Sequence, residues 1–430
     1  MKEQTFFIKS MGCKSNQFEG SLIAEHLVQS GFKQVFTPNK ADYYILNSCS
    51  VTHKSDNETL YLLRNVKHLH PNIKTVLTGC VAQVEKDKLL ELDYIDYIFG
   101  NDDKFNLSKH LSCGSKYVVS DIMKLDSFNY QTLKEYSKTR YSLKIQDGCN
   151  NRCAYCIIPF ARGASRSAKS DFIVNQINLA SENGFKEVVL TGIHIGQWGL
   201  DFNKKFIDLI YDIEEKTSIP RYRLGSLNPL EITPELLDLL EKSDRFCPHF
   251  HLSLQSACNN TLKRMNRHYT VEAYLDQIKN IKERFKNPFL GSDIIAGFVG
   301  ETEEDFQTTV KNLKASGLSK IHTFPYSIRK GTAAQELSGH LPDNIKQSRA
   351  NIIKQISADK FEQFAKDNIG TVQEVLIEKR PDKNSGKLKG VSRNYLNLII
   401  DCDKKEQYFN TLQTVKITGF QNEVFLGELV

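Results

Sequence analysis

Short apolar runs alternate with amphipathic stretches along most of this 430-residue chain. In residues 1–112 the apolar runs are 5–8, 43–46 and 75–78, and amphipathic stretches such as 22–28 and 60–69 separate them. This alternation is typical of βαβ units, whose strands form a parallel sheet with helices on its faces. The sequence therefore predicts an N-terminal domain with a Rossmann-like parallel sheet.

The alternation continues on a longer scale from residue 139 to residue 366, after a largely polar stretch, 113–138, that we interpret as a linker. Six runs are predicted strands: residues 141–145, 188–190, 222–224, 251–254, 291–295 and 321–324. Six βα units in one domain suit a full or partial TIM-like α/β barrel, whose functional residues lie at the carboxyl ends of its strands.

Residues 367–430 differ from the rest because they show no strong helical period. The runs 372–377, 395–400 and 415–419 are short, rich in β-formers and joined by Gly, Asn and Lys turns. This pattern predicts a small antiparallel β-barrel. The expected fold class is thus α/β, with a parallel-sheet domain, a barrel domain and a terminal β-barrel.

The number of cysteines and the expected cellular compartment limit the classes of function that this chain can have. The chain has ten cysteines, yet no run approaches the 18 apolar residues of a membrane span and its start is too polar for a signal peptide. We therefore expect a cytoplasmic protein without a membrane partner, in a compartment that keeps thiols reduced. Clustered cysteines in such a compartment more often bind metal or act in catalysis than form disulfides.

Three cysteines, Cys149, Cys153 and Cys156, form a C-x3-C-x2-C loop directly after the first predicted barrel strand. Three thiolates in one short loop can hold three corners of an iron-sulfur cubane and leave the fourth iron open. An open iron can chelate S-adenosylmethionine and deliver the electron that cleaves it to a carbon radical. The alternative is a zinc knuckle, although zinc usually takes two separated pairs of ligands.

Three further cysteines, Cys13, Cys49 and Cys80, each follow a predicted strand of the N-terminal sheet. Parallel strands bring their carboxyl ends to one edge of a sheet, so these thiols are expected to converge there. Gly12 and Gly79 precede two of them and permit tight turns. The alternative is three ordinary buried cysteines. If they do hold a second cubane, it also has a free iron, which could take an exogenous sulfur.

The other four cysteines show no spacing that joins them, and we interpret them as packing or surface thiols. They are Cys113, Cys247, Cys258 and Cys402.

The segments around the two cysteine sets resemble the methylthiotransferase family of radical S-adenosylmethionine enzymes. The resemblance rests on residues 10–17 (SMGCKSNQ), 47–51 (NSCSV), 78–80 (TGC) and 149–159 (CNNRCAYCIIP). It covers the whole chain and implies an N-terminal methylthiotransferase domain, a radical barrel and a C-terminal TRAM barrel. Residues 160–167 and 251–267 are most similar to the MtaB branch, although Cys258 departs from the expected pattern.

That branch converts threonylcarbamoyladenosine at position 37 of tRNA to its 2-methylthio derivative, whereas sibling branches modify isopentenyladenosine in tRNA or a ribosomal protein aspartate. The resemblance implies two 4Fe-4S clusters and two S-adenosylmethionine molecules, one a methyl donor and the other a source of the 5′-deoxyadenosyl radical. It also implies a tRNA anticodon stem-loop as partner, an electron donor such as flavodoxin or ferredoxin, and a monomer. An interpretation outside this class is an iron-sulfur RNA-binding module without turnover.

By the same motifs, six residues are implied to contact S-adenosylmethionine: Tyr155, Gly192, Ser226, Ser253, Gln255 and Asp293. Several have a structural alternative. Tyr155 could only shield a cluster, the strand-end polar residues could only cap strands, and Asp293 could be a buried hydrogen-bonded carboxylate. We interpret His194 as a packed loop residue rather than a base.

Net charge is only +6, so its distribution matters more than its total. Within residues 379–393 six basic residues accompany one acid, which predicts phosphate contacts in the terminal barrel, with a solvated loop as the alternative. The basic residues are Lys379, Arg380, Lys383, Lys387, Lys389 and Arg393. Four arginines elsewhere could meet phosphate, the substrate carboxylate or that of S-adenosylmethionine: Arg162, Arg166, Arg264 and Arg267.

Overall fold

The first domain is built on a parallel sheet, as predicted. The computed structural model describes residues 3–133, 138–402 and 406–430. The strands of this domain are β1 (Thr5–Ser10), β2 (Lys33–Gln34), β3 (Tyr43–Ser48), β4 (Lys74–Gly79), β5 (Tyr97–Phe99) and β6 (Tyr117–Val118). They pair in the order β2-β1-β3-β4-β5-β6, and every pairing is parallel. The central strand β3 is buried along its whole length, which explains its continuous apolar run.

Helices cover this sheet: α1 (Lys14–Gln29), α2 (His53–Leu69), α3 (Cys80–Val84), α4 (Lys86–Leu89) and α5 (Leu107–Ser112). The stretch 113–138, interpreted from the sequence as a linker, contributes β6 to the sheet and buries Ile122 and Phe128. Apolar residues at those positions anchor the stretch, so its described part packs against the protein.

The second domain is an arc of six parallel strands: β7 (Tyr141–Lys144), β10 (Glu187–Thr191), β11 (Arg221–Leu224), β12 (His249–His251), β13 (Phe289–Ala296) and β14 (Lys320–Pro325). They form two three-stranded ladders, β7-β10-β11 and β12-β13-β14, which the bridges Tyr222 to Phe246 and Leu227 to Leu252 join. Within the described residues no ladder connects β14 to β7. The domain is therefore a partial barrel, and a short ribbon of β8 (Gln146–Asp147) and β9 (Arg166–Ser167) flanks its first strand.

Eight helices lie between and after these strands in the described residues: α6 (Ile158–Arg162), α7 (Ser170–Glu182), α8 (Phe206–Lys216), α9 (Pro234–Lys242), α10 (Asn259–Arg264), α11 (Val271–Arg284), α12 (Glu303–Ala315) and α13 (Asp343–Asn368). All six predicted barrel strands are present, although β12 begins two residues before the predicted run.

The last domain is a closed five-stranded barrel: β15 (Val372–Ile377), β16 (Leu388–Ser392), β17 (Asn397–Ile400), β18 (Leu412–Gln421) and β19 (Val424–Leu429), in the order β15-β16-β17-β19-β18. The pairing of β17 with β19 is parallel and the others are antiparallel. The small barrel was predicted, but its strands β16 and β19 were not. The Lys389 and Gly390 of β16 make that strand look like part of a basic loop.

Helix α1 connects the first two domains by burying both of its faces. Its Ile23 and Leu27 pack in the core of the parallel sheet, whereas Phe18 and Leu22 belong to the core of the barrel. The Ser15 hydroxyl also lies 3.5 Å from the Thr191 hydroxyl at the end of β10. The first two domains thus share a continuous apolar interior along this helix.

The last domain closes the amino-terminal end of the partial barrel. Arg223 of β11 donates to the carbonyl oxygens of Ser392 and Arg393 at 3.2 and 2.9 Å, and Arg221 donates to that of Val391 at 3.3 Å. Among the described helices, none is long and apolar enough to cross a membrane.

Candidate functional site

The C-x3-C-x2-C loop lies between β8 and α6, at the carboxyl end of the first barrel strand. Its backbone is tied to the rest of the barrel: Cys149 N–H donates to the Gly163 carbonyl at 3.1 Å, and Ala154 N–H donates to the Met265 carbonyl at 2.9 Å. These bonds hold a segment that otherwise has little regular structure. The loop is therefore fixed on the rigid strand end, as a metal-binding loop requires.

The three thiols of this loop share one environment. Burial raises the pKa of the Cys156 thiol to about 12, and the nearby Cys153 and Cys149 contribute to the increase. Two polar side chains approach the sulfurs: the His194 imidazole Nδ1 lies 3.5 Å from the Cys149 Sγ, and Arg267 donates through Nη1 to the Cys153 Sγ at 3.2 Å. A cysteine binds iron as its thiolate, so binding of iron would release the thiol proton of Cys156.

The second set of cysteines converges at the edge of the parallel sheet. Ser48 and Gly79 pair across β3 and β4, so the residues that follow them, Cys49 and Cys80, leave adjacent strands side by side. Cys13 is the residue before α1, and its predecessor Gly12 approaches Cys49 so closely that a Cβ on Gly12 would lie 2.6 Å from the Cys49 Sγ.

The thiols of this set also influence one another. The pKa of Cys49 is raised to about 12, mainly by burial and then by Cys80 and Cys13. Cys49 and Cys80 are buried, whereas Cys13 is exposed to solvent. The three strand-end cysteines thus lie at one edge of the sheet, as the strand pattern predicts, and burial also raises the pKa of the Cys13 thiol.

A buried network of charges lies beside the second cysteine set and links it to the barrel. Glu19 of α1 forms ion pairs with Lys104 at 2.6 Å, Lys144 at 2.7 Å and Arg162 at 2.8 Å, and Arg162 also pairs with Asp147 at 2.9 Å. Burial favours a neutral Glu19, but the three cations outweigh it and hold the pKa of Glu19 well below its usual range. Three cations against two carboxylates leave an excess of buried positive charge.

That excess fits a bound iron-sulfur group. Arg162 interacts electrostatically with Cys13, Cys49 and Cys80, and its buried Nε has no hydrogen-bond partner among the described residues. A cluster held by three thiolates brings negative charge and sulfur acceptors into such a position. Among the described residues, no group of three or more His, Cys, Asp or Glu side chains is arranged to hold a metal ion.

A cavity of about 220 Å³ lies between the C-x3-C-x2-C loop and the N-terminal domain. Its lining includes Tyr155, Cys156, Gln255 and Asp293 from the barrel, together with Val51 and Thr52, which follow Cys49. The cavity therefore adjoins the loops of both cysteine sets. A molecule that occupies it would contact Cys156 and the segment that follows Cys49.

Three of the six residues implied to bind S-adenosylmethionine line this cavity, namely Tyr155, Gln255 and Asp293. Gln255 has a left-handed backbone, with φ of +67°, while its N–H donates to the Asp293 carbonyl at 2.8 Å. A non-glycine residue held in that conformation is a strained feature of the kind that clusters at functional sites.

Ser226 and Ser253 lie outside the lining but are connected to it through His251. The two serine hydroxyls are 2.9 Å apart, the Ser226 Oγ is 3.1 Å from His251 Nδ1, and His251 Nε2 is 3.3 Å from the Asp293 carboxylate. His251 was not among the predicted site residues. A signal for it was available, because it stands two residues before Ser253 and therefore on the same strand face.

Gly192 has a packing role in the structure. A Cβ at this position would lie 2.9 Å from the Gln146 carbonyl oxygen, and the Gln146 side chain accepts from the next two backbone N–H groups, those of Ile193 and His194. His194 itself is buried between Cys149, Glu231 and Asn228. It is therefore a packed loop residue, as interpreted, but one that touches a cysteine of the loop.

The four arginines of unassigned role all make internal contacts. Arg162 belongs to the buried network, Arg166 donates to the carbonyls of Arg162 and Ala164, and Arg264 pairs with Asp305 at 2.7 Å. Arg267 contacts Cys153 of the C-x3-C-x2-C loop. Among the remaining cysteines, Cys247 and Cys258 are buried and Cys113 is exposed.

The six basic residues of 379–393 do not form one patch. Lys379, Arg380 and Lys389 line a cavity between domains, and Lys387 pairs with Asp401 at 2.7 Å. Lys383 is exposed on a turn, and Arg393 donates to the Phe246 carbonyl at 2.7 Å, where the last domain meets the barrel.

Comparisons with known proteins agree with this arrangement. The model of the Radical SAM superfamily matches residues 143–313, and that of UPF0004, an uncharacterized protein family, matches residues 5–100. The first match implies S-adenosylmethionine and a 4Fe-4S cluster as cofactors. Among solved structures, the radical S-adenosylmethionine methyltransferase TsrM of Kitasatospora setae shares the fold, with a TM-score of 0.54 and 13% identity over 75% of this chain and 74% of its own.

Curated relatives align over almost the whole chain. The threonylcarbamoyladenosine tRNA methylthiotransferase MtaB of Aquifex aeolicus is 37% identical over 86% of this chain and 92% of its own length. The tRNA-2-methylthio-N(6)-dimethylallyladenosine synthase of Thermodesulfovibrio yellowstonii is 34% identical over 89% of this chain and 90% of its own. The chain belongs to the methylthiotransferase family of radical S-adenosylmethionine enzymes.

Proposed function

We propose that the chain is a tRNA methylthiotransferase that converts N6-threonylcarbamoyladenosine at position 37 of tRNA to its 2-methylthio derivative. The observation that carries this proposal is the cavity next to Tyr155 and Cys156, because the residues after Cys49 complete its lining. A reaction that joins a sulfur group to an unactivated carbon needs a radical source and a sulfur carrier beside one substrate. In this proposal, the substrate occupies the cavity, between the radical source and the sulfur carrier.

In this proposal each cysteine set holds one 4Fe-4S cluster. Cys149, Cys153 and Cys156 hold the cluster of the radical site, and Cys13, Cys49 and Cys80 hold the auxiliary one. When bound, the first supplies the electron that cleaves S-adenosylmethionine and the second supplies an iron that can carry sulfur. Arg267 stabilises negative charge on Cys153, and Arg162 does the same for the auxiliary set, because each places a guanidinium in a buried site near the sulfurs.

Tyr155, Gln255 and Asp293 orient S-adenosylmethionine in the cavity. Burial raises the pKa of Tyr155 well above its usual range, so its hydroxyl stays protonated and can donate a hydrogen bond. Asp293 is available as an acceptor for ribose hydroxyls, and His251 fixes the position of its carboxylate. Ser226 and Ser253 act on the ligand through His251, and Gly192 shapes the turn that carries His194.

The choice of nucleoside is supported by the relatives. Proteins named MtaB from Aquifex aeolicus, Bacillus subtilis and Thermotoga maritima are 37%, 31% and 33% identical to this chain. The second candidate substrate is dimethylallyladenosine (isopentenyladenosine), which is favoured by the 34% identity to the Thermodesulfovibrio yellowstonii synthase. The two candidates differ in the group on N6, which carries a carboxylate only in threonylcarbamoyladenosine.

Nucleoside mass spectrometry of tRNA from cells with and without the gene tests the proposal. We expect the deletion strain to lose 2-methylthio-threonylcarbamoyladenosine and to accumulate the unmodified precursor, and a plasmid copy of the gene to restore the product. Loss of the dimethylallyl product alone would support the second candidate. Persistence of both products in a strain without a paralogue would overturn the assignment.

Anaerobic reconstitution separates an enzyme from an iron-sulfur RNA-binding module without turnover. The proposal requires roughly eight irons per chain, as two cubanes contain, and formation of 5′-deoxyadenosine after reduction. Iron at that level without the nucleoside would instead support the module.

A further inference from the structure

A second cavity, of about 340 Å³, lies where all three domains meet and belongs to neither cysteine set. The N-terminal domain contributes Lys14 and Gln17, the start of β7 contributes Lys138, Thr139 and Arg140, and the last domain contributes Glu378, Lys379, Arg380 and Lys389. Ser142 and Val189 complete its lining. The walls thus come from segments that are far apart in sequence.

The charge of this cavity is strongly one-sided. Six cations and one carboxylate line it, and the carboxylate, Glu378, pairs with Lys389 at 3.2 Å. Lys138 donates to the Gln17 side chain at 2.7 Å. In the part of the chain that the structure describes, no ion pair involves Lys14, Arg140, Lys379 or Arg380. Cations therefore outnumber carboxylates in the lining, although the buried Glu187 also interacts electrostatically with Lys14 and Arg140.

Two of the lining cations lie over the same aromatic ring, together with Arg223, whose guanidinium carbon is 4.9 Å from the ring centre. Lys14 Nζ is 5.5 Å and the Arg140 guanidinium carbon 5.6 Å from the centre of the Tyr395 ring. Burial lowers the pKa of Lys138, and the nearby positive charges of Arg140 and Lys14 lower it further. Like charges at this spacing repel one another, and an anion bound between them removes the repulsion.

One residue of the cavity lining, Lys14, directly follows Cys13 of the auxiliary set along the chain. The cavity is open to solvent and several times larger than a single water site, so part of a polymer can enter it. Arginine and lysine on opposite walls suit phosphate, because the guanidinium binds two phosphate oxygens and the ammonium adds a point charge.

We propose that this three-domain cavity binds the phosphodiester backbone of the substrate RNA, with Lys14 and Arg140 as its innermost contacts. The proposal rests on the tRNA substrate proposed above and adds a binding site that is formed jointly by all three domains. Residues Lys379, Arg380 and Lys389 form the outer wall, so the terminal barrel contributes only half of the cations. RNA held here would be anchored beside the auxiliary cysteine site while the reacting base occupies the other cavity.

Salt-dependent binding of an anticodon stem-loop RNA hairpin to the full-length reconstituted protein tests this site. We expect Lys14→Gln combined with Arg140→Gln to weaken binding about tenfold or more and to reduce the slope of log K against log salt by about one for each phosphate that is no longer neutralised. The matched control is Arg64→Gln combined with Lys311→Gln, which removes the same charge from exposed positions on α2 and α12. The control should keep both the affinity and the slope of the parent protein.

The outcomes separate this inference from the proposed function. If the parent protein binds the hairpin and the cavity variant binds it with an unchanged slope, the RNA site lies elsewhere and the inference is wrong. If inorganic phosphate binds the parent protein in a manner that depends on Lys14 and Arg140 but does not compete with the hairpin, the cavity serves a free phosphate and the inference is also wrong. If the parent protein binds no hairpin at all, the proposed tRNA substrate fails as well. Thermal unfolding of both double variants confirms that each is folded.

Discussion

At the scale of single residues, the auxiliary site depends on how closely a backbone can approach a thiol. Gly12 has φ of +80° and faces the Cys49 side chain directly. Any side chain at this position both strains the backbone and displaces the sulfur. The positions of the three thiols therefore depend on Gly12 as well as on the cysteines themselves.

Gly12→Ala tests this dependence. We expect it to reduce the iron content of the reconstituted protein by about half, since only the auxiliary site is disturbed, and to lower the free energy of unfolding by about 1–3 kcal/mol. Iron analysis and denaturant unfolding measure the two effects, while formation of 5′-deoxyadenosine should persist.

The control is Gly31→Ala, where the glycine has φ of +89° but no neighbouring atom within 4 Å of the added Cβ. It should cost only the backbone strain, about 1 kcal/mol, and keep the full iron content. Equal iron loss in both variants would contradict the proposed role of the close approach.

At the scale of elements, α1 is the component that joins two domains and two kinds of interaction. It packs apolar residues on both sides, and from the same helix Glu19 reaches Lys104 of the first domain and Lys144 and Arg162 of the barrel. The carboxylate is the common partner of cations from both domains. Its removal leaves several buried charges without compensation.

Glu19→Gln is therefore expected to lower the free energy of unfolding by about 3–5 kcal/mol, the range for breaking a buried ion pair from one side. Denaturant unfolding of the apoprotein measures the change. Glu58→Gln, on the exposed face of α2, removes the same charge and should change stability by less than about 0.5 kcal/mol. Similar losses in both variants would show that the network contributes little.

Much of the fold could be predicted from element-scale patterns, because alternation of apolar runs depends on local sequence. The three strands that precede Cys13, Cys49 and Cys80 and the six strands of the barrel were predicted, and so was the position of these three cysteines at one edge of the sheet. The Glu19 network and the link through His251 were not, because ion pairs between residues such as Glu19 and Arg162 leave no local period. Strands β16 and β19 were also missed, β16 because its charged residues resemble a loop.

At the scale of the whole molecule, the terminal barrel is bound to the core through buried charges. Glu187 pairs with Arg221 at 2.9 Å and with Arg223 at 3.1 Å, and both arginines donate to carbonyls of residues 391–393. Burial opposes ionisation of Glu187, but Arg223 and Arg221 outweigh it and lower its pKa to about 2. The carboxylate thus orients the cations that attach the last domain.

This arrangement predicts a specific pH dependence. Because the pKa of Glu187 is lower in the folded protein than in the unfolded chain, its contribution to stability is complete above about pH 4.5 and is lost as the pH falls toward 2. Glu187→Gln should reduce stability near neutral pH and make the loss of stability between about pH 4.5 and 2 less steep. Chemical unfolding at a series of pH values measures both, and an unchanged acid slope would contradict the assignment.

The same contact has a consequence for biosynthesis. The Arg393 carbonyl that accepts from Arg223 lies 170 residues further along the chain. At about 5–20 residues per second, the ribosome adds that partner on the order of ten seconds or more after Arg223. During this interval the last domain does not yet cover the amino-terminal end of the barrel, and Arg221 and Arg223 lack the carbonyl acceptors of residues 391–393. Completion of the core therefore waits until the last domain has been synthesised, and a chain truncated before that domain lacks the contacts that close the amino-terminal end of the barrel.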